Sequence, residues 1–202
     1  MPVPLIFLLL FGKEQIMEKQ TQKNEKNTLA GELFFWAQAL TVALAVLVFV
    51  NTFFFRLSGV RGHSMENTLH NGDQLILQVI GYDQPERGDI IVCYSDAFGG
   101  EALVKRVIAV EGDTVEISSD GYMVVNGEEL YEPYAKEAMW GNKRGDQAYP
   151  LTVMEDHLFV VGDNRNGSTD SRSLMVGQVE EDRVIGKALF RVFPLHKIGG
   201  VK

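Results

Sequence analysis

Two kinds of apolar patterning divide the chain. From Leu33 to Phe55 it reads LFFWAQALTVALAVLVFVNTFFF, 23 residues without a charge, in which Gln38, Thr41, Asn51 and Thr52 are the polar interruptions. The run is apolar all round rather than along one stripe, the pattern of a helix surrounded by lipid rather than one laid on a core. At about 1.5 Å of rise per residue it spans a hydrocarbon layer of about 30 Å. Beyond Arg56 the apolar residues fall instead into short β-rich runs broken by Gly, Asp and Asn. These predict strands over 74–79, 89–94, 102–111, 114–118, 122–125, 157–161 and 184–193. Asn71-Gly72, Asp120-Gly121 and Asn126-Gly127 sit between or beside them as turn formers, and Asp120-Gly121 makes 114–125 a hairpin. Residues 141–156, of mixed polarity, read as a loop. The expected architecture is all-β, preceded by one N-terminal transmembrane helix: a tail at 1–32, the span at 33–55 and a single domain at 56–202.

Charge refines this division. The 202 residues carry 19 Lys+Arg against 27 Asp+Glu, a net −8, and residues 1–55 hold four Lys and four Glu, so the whole excess falls on 56–202. An acidic domain lacks the cationic face that neutralises phosphates, which excludes a general nucleic-acid binder. Four Lys precede the span whereas only Arg56 and Arg61 follow it closely. The positive-inside rule therefore places the tail in the cytoplasm and 56–202 outside the cell membrane. The opening MPVPLIFLLLF is too short to span and has no basic residue before it as a secretory signal would. Met17 is an alternative start, which would make 1–16 a start-site artefact. The single cysteine, Cys93, excludes an intramolecular disulfide and a Cys-cluster zinc site, and its place in Ile90–Tyr94 marks a buried small hydrophobe. No metal or other cofactor is expected.

Three places could carry chemistry. Ser64 lies in Gly62-His63-Ser64-Met65-Glu66-Asn67-Thr68-Leu69, a short Gly-flanked segment just beyond the span. A serine nucleophile ordinarily looks for a histidine base, but His63 is its immediate neighbour and no G-x-S-x-G elbow is present, so a Ser-His-Asp arrangement has no support. Lys105 lies in a predicted strand where period two aligns it with Leu103, Val107 and Ala109 and turns Arg106 to the other face. Such a lysine is a residue snorkelling from an edge, part of a solvated basic patch, or a desolvated amine. Desolvation lowers the pKa and leaves a neutral amine that can take a proton from a hydroxyl. The third place, Gly162 to Arg172, is GDNRNGSTDSR. A surface turn and a calcium loop are the alternatives to an internally salt-bridged platform. An EF-hand would need Glu at its twelfth position, and Arg165 and Arg172 would repel a cation, so the platform explains Asp163, Arg165, Asp170 and Arg172 best.

Taken in order, these blocks resemble the bacterial type I signal peptidases, membrane-anchored serine peptidases. Ser64-Met65 to Leu69 is similar to the family's Ser-Met-x-Pro-Thr box, and Arg87-Gly88-Asp89-Ile90-Ile91-Val92 to its next box. Lys105-Arg106-Val107-Ile108 through Gly112-Asp113 is similar to the lysine box, and Gly162 to Arg172 to the Gly-Asp-Asn-Arg-x-x-Ser-x-Asp-Ser-Arg box; Ile185-Gly186-Lys187-Ala188 and Phe193-Pro194-Leu195 close the series. The resemblance implies a β fold of coiled antiparallel sheets and cleavage of N-terminal signal peptides from exported preproteins after a small P1 residue. It implies Ser64 as nucleophile, Lys105 as general base, and an acyl-enzyme. Ser168 is carried over as the hydroxyl that orients the amine, and Asp163, Arg165, Asp170 and Arg172 as its support. Val60, Gly62, Met65, Leu103 and Val104 would contact an extended substrate. The implied partners are preproteins and the bilayer, with the protein a monomer. Three positions depart from the pattern: Asn67 and Glu111 stand where the family has proline, and Gly62 offers no side-chain hydroxyl to an oxyanion. A self-cleaving Ser-Lys repressor relative and a catalytically silent membrane-anchored binding module are the alternatives. The first would need a DNA-binding domain where 1–55 supply an anchor.

Overall fold

The computed structural model describes residues 30–50 and 54–201, so the expected tail up to residue 29 and the stretch 51–53 lie outside the described residues. The chain forms two compact units, 1–50 and 51–202. Among the described residues of the first, helix α1 runs over Ala30–Val50, long and apolar enough to cross a membrane, with none of its apolar window buried. Within it, Thr41 Oγ1 donates to the Ala37 carbonyl one turn back, so its hydroxyl is satisfied inside the helix. The expected span reached Phe55; that residue instead opens the first strand.

The second unit is built of β1 (Phe55–Gly59), β2 (Gln74–Gln78), β3 (Ile90–Tyr94), β4 (Ala102–Val110), β5 (Thr114–Ile117) and β6 (Met123–Val125). There follow β7 (Glu128–Glu129), β8 (Leu151–Thr152), β9 (His157–Val161), β10 (Val179–Glu180), β11 (Val184–Phe193) and β12 (Gly199–Gly200). One sheet has the order β1-β2-β11-β3-β4-β9-β10, with β12 beside β11, and a small second sheet has the order β7-β6-β5-β8. All pairings are antiparallel. The seven expected strands are present. Those missing from the sequence reading are β1, which shares only Phe55 with the apolar run and otherwise reads Arg-Leu-Ser-Gly, and two-residue strands too short for a periodic signal.

Strand β4 is the spine of this unit. Its residues Ala102 to Arg106 pair with β3, whereas β9 joins the other edge only from Arg106 onward, opposite Val161. Ala102 to Lys105 thus keep one edge without a ladder partner among the described strands. The expected alternation fails after Val107, because Ile108 is an extra residue opposite β9. This bulge re-phases the strand. Leu103 and Val107 pack with Ile91, Cys93, Leu158 and Val160, but beyond the bulge Ala109 joins Ile108 in a different cluster. In that cluster Ile108, Ala109, Phe159 and Val161 of the large sheet meet Val115, Met123 and Val125 of the small one. The bulge is therefore what lets one strand feed two cores. Asp113 locks the turn that follows: its carboxylate pairs with Arg87 and accepts from the Val110 N–H at 2.9 Å and from Asn126 Nδ2 at 3.0 Å.

Phe159 is fully buried at the junction of the two sheets. Phe159→Ala is expected to cost about 3–5 kcal/mol. The check is denaturant unfolding of the full chain in detergent micelles.

Candidate active site

Ser64 is presented by a tight turn. The Thr68 and Leu69 N–H groups both donate to the Met65 carbonyl, at 2.9 and 2.8 Å. The turn closes this way with Asn67 at the position where the resemblance expects proline. The Met65 and Leu69 side chains anchor it in a core with Val60, Leu75, Leu77 and Ile90. Glu111, the second departure, accepts from the Asp156 N–H at 3.1 Å, a bond a proline could not offer. At Gly62 the backbone adopts φ +83, a left-handed conformation that a side chain would strain.

Lys105 reaches this loop from β4, and its Nζ lies 2.8 Å from Ser64 Oγ. A second bond, at 3.2 Å, runs from the amine to the Val104 carbonyl. Lys105 is 3% exposed. Burial pushes its pKa below the ordinary lysine value, and Asp170 pulls the other way without reversing the shift. The desolvated amine is thus the alternative that the geometry selects over a snorkelling or solvated lysine. Arg106, the next residue, turns away and lies bidentate on Asp163, at 2.8 and 2.7 Å. Both members are buried.

The 162–172 segment forms the wall beneath. Gly162 allows a close approach: a Cβ there would collide with Ser168 Oγ and with the Ser64 carbonyl. Asn164 then clamps the nucleophile's loop, its N–H donating to the Ser64 carbonyl at 3.0 Å and its Nδ2 to the His63 carbonyl at 3.0 Å. Thr68 Oγ1 donates to Asp163 from the same loop. Asp170 receives Arg172 and the Gly162 N–H. Burial would raise the Asp170 pKa, but these donors hold it below the usual carboxylate value.

The platform is less self-contained than its sequence implies. Of the expected internal ion pairs, only Asp170–Arg172 forms. Asp163 is taken by Arg106, which leaves Arg165 to Glu132, at 2.8 and 2.9 Å. Around the platform Arg106 and Arg172 take Asp163 and Asp170, so Arg165 draws its acid from outside the boxes, which no local signal in the sequence marks. Glu132, Asn164 and Thr68 are the contributors that sequence reasoning missed. Ser168 is half-buried next to Gly162, and its hydroxyl is enclosed beside the Asp170 carboxylate rather than bonded to Lys105.

A cleft of about 790 Å³ opens over the pair. Val60, Leu103 and Val104 line it, as do Ser64 and Lys105, with Arg61, Gln74 and Glu101 at the more polar positions. Of the expected substrate contacts, Met65 is instead buried in the core under the cleft, and Gly62 lies outside the lining. The Ser64 N–H donates to no group among the described residues. Cys93 is buried and its thiol is pushed up to about 11 by that burial, which makes it inert.

A strand-edged cleft that sets a hydroxyl against a buried amine is the equipment of a peptidase. Comparison with known proteins says which kind. Residues 33–193 match the family described as signal peptidase, peptidase S26. A signal peptidase I of Bacillus licheniformis is 34% identical over 190 residues, covering 90% of this chain and 98% of the relative. A signal peptidase IB of Staphylococcus aureus is 33% identical over 179 residues, covering 81% and 91%. A solved signal peptidase I from Enterococcus faecalis, 34% identical, superposes with a TM-score of 0.43 over 52% of this chain and 96% of that one. The chain belongs to the signal peptidase S26 family, and it is an enzyme.

The depressed pKa of Lys105 carries a stability consequence. At neutral pH the unfolded lysine binds a proton that the buried amine resists, so stability rises with pH up to the ordinary lysine value of about 10.4. Lys105→Met is expected to raise the thermal midpoint by roughly 2–4 °C at neutral pH and to remove that rise. Thermal scans of both proteins at several pH values give the comparison.

Proposed function

We propose that the chain is a signal peptidase I, removing N-terminal signal peptides from exported preproteins through a Ser64/Lys105 dyad. The observation that carries this reading is the 2.8 Å approach of a buried lysine amine to Ser64 Oγ. The preprotein's cleavage region adds as a strand along the unpaired edge of β4 at 102–105, which supplies backbone partners. Val60, Leu103 and Val104 make shallow apolar walls suited to small side chains at P1 and P3.

Neutral Lys105 takes the Ser64 proton as Oγ bonds to the P1 carbonyl carbon. The Ser64 N–H, which has no other partner among the described residues, stabilises the oxyanion. Collapse of the tetrahedral adduct breaks the peptide bond, and the departing amine takes the proton from Lys105. Water then attacks the acyl-enzyme, giving its proton to Lys105, and Ser64 leaves reprotonated with the signal peptide's carboxylate as product. Asp163, Arg165, Asp170 and Arg172 hold the wall on which the geometry rests; Ser168, whose hydroxyl is not bonded to Lys105, packs beside it against Gly162.

Helix α1 anchors the enzyme in the cell membrane with the tail inside and 56–202 outside, as the lysine distribution directs. An apolar trough formed by Phe55, Leu57, Ile76, Leu189 and Phe190 rests against the lipid surface. One copy carries both members of the dyad, so a monomer suffices.

Ser64→Ala and Lys105→Ala are each expected to reduce preprotein cleavage in detergent micelles by about 10⁴-fold or more, with circular dichroism unchanged. A Lys105→Ala enzyme of near wild-type rate would transfer the base role to another group. Protonated lysine cannot accept the serine proton, so the rate should fall as acid titrates the amine. A rate flat down to about pH 5 excludes an amine base.

A further inference from the structure

The segment between β7 and β8 has no regular strand, yet it inserts two side chains beside the buried ion pairs. Glu132, with its side chain 1% exposed, receives both Nη atoms of Arg165. Tyr134 lays its ring on the Arg106 guanidinium, 3.8 Å from Cζ to the ring centroid, and donates its hydroxyl to Glu132 Oε1 at 3.0 Å. Burial, with Glu132 adding to it, raises the Tyr134 pKa above its ordinary value, so the phenol stays a donor. The same segment is bonded along the platform: the Lys136 N–H donates to the Asp163 carbonyl at 2.8 Å, and Asn166 donates through its N–H to Glu137 and through Nδ2 to the Ala138 carbonyl.

These contacts link two points that flank the dyad. Arg106 follows Lys105 on β4, and Arg165 follows Asn164, which holds the Ser64 carbonyl. Glu132 supplies the anion that Asp163, already engaged by Arg106, cannot give to Arg165. Tyr134 covers the guanidinium face that the Asp163 fork leaves open, a contact whose strength grows on desolvation. Neither residue lines the cleft.

We infer that Glu132 and Tyr134 are positioning residues of the peptidase reaction: a strap that fixes Arg165 and Arg106 and thereby sets the distance between Ser64 and Lys105. The inference rests on the Ser64/Lys105 reading above. It requires that loosening the strap lowers kcat while KM stays, because the substrate's contacts are untouched.

The test is steady-state cleavage of a preprotein by the full chain in detergent micelles, well below the thermal midpoint, with wild type and Ser64→Ala run alongside. Tyr134→Leu is expected to lower kcat by about 3- to 30-fold with KM within about twofold, and Tyr134→Phe, which restores a ring over Arg106, to recover kcat to within about threefold. Glu132→Gln, which keeps the shape and removes the charge, is expected to lower kcat by about tenfold or more in its folded fraction. An unchanged kcat in Tyr134→Leu with only a lower midpoint, a loss confined to KM, or no recovery in Tyr134→Phe overturns the strap while leaving the dyad standing. A wild type that does not cleave, or a Ser64→Ala protein that does, overturns the dyad reading and this inference with it.

Discussion

Arg106 and Asp163 meet where water is excluded, and the pair fastens the middle of β4 to the start of the 162–172 segment. Breaking such a pair costs about 3–5 kcal/mol, because a charge is left buried without a counterion, whereas replacing both members by apolar groups is often harmless. Its value here is directional. A bidentate fork tolerates little rotation, so the chain leaving β9 must pass at a set distance and angle from β4. Gly162, Asn164 and Thr68 then find their places against the turn that presents Ser64. That fixed separation works with the Asn164 clamp and the Met65 and Leu69 core anchor to hold the serine loop over the lysine.

Alternation along one strand does the rest. Lys105 and Arg106 are both basic and both buried, and a β-strand must send them to opposite faces. Arg106 meets a carboxylate fork. Lys105 meets a hydroxyl and a carbonyl, with no carboxylate in contact, and is pushed toward the neutral form. Two adjacent residues of like charge thus acquire opposite electrostatic characters from the groups that face them. The bulge at Ile108 comes just after this pair, where the strand can change face without disturbing it.

Much of this was legible in the sequence. The shift from one long uncharged apolar run to short punctuated ones separates helix from sheet, and the seven expected strands follow from their β-rich runs. The serine and lysine boxes were readable through their order and their resemblance to one family, since a serine in a loop or a lysine in a strand says little alone. What escaped was what depends on pairing at a distance. Phe55 closes an apolar run just before Arg56, and only the ladder with β2 shows that it belongs to the sheet. Ile108 looks like any strand residue until β9 sets the register. Glu132 is an acid in an irregular segment, and only Arg165, left over once Asp163 is taken, gives it a partner. Met65 sits next to the nucleophile in sequence, but the turn sends its side chain down into the core.

The strand β9 ends at Val161 because Gly162 begins the platform, and this stop leaves β4 with four residues of vacant edge. The large sheet is, over that length, unfinished. Vacant edges are normally a hazard, since any other chain can complete them. Here the vacancy is short, walled on one side by the serine loop, and followed immediately by a fully paired stretch. A sheet of this kind sorts chains by their willingness to be straight: a segment already coiled into a helix cannot fill the gap until it unwinds.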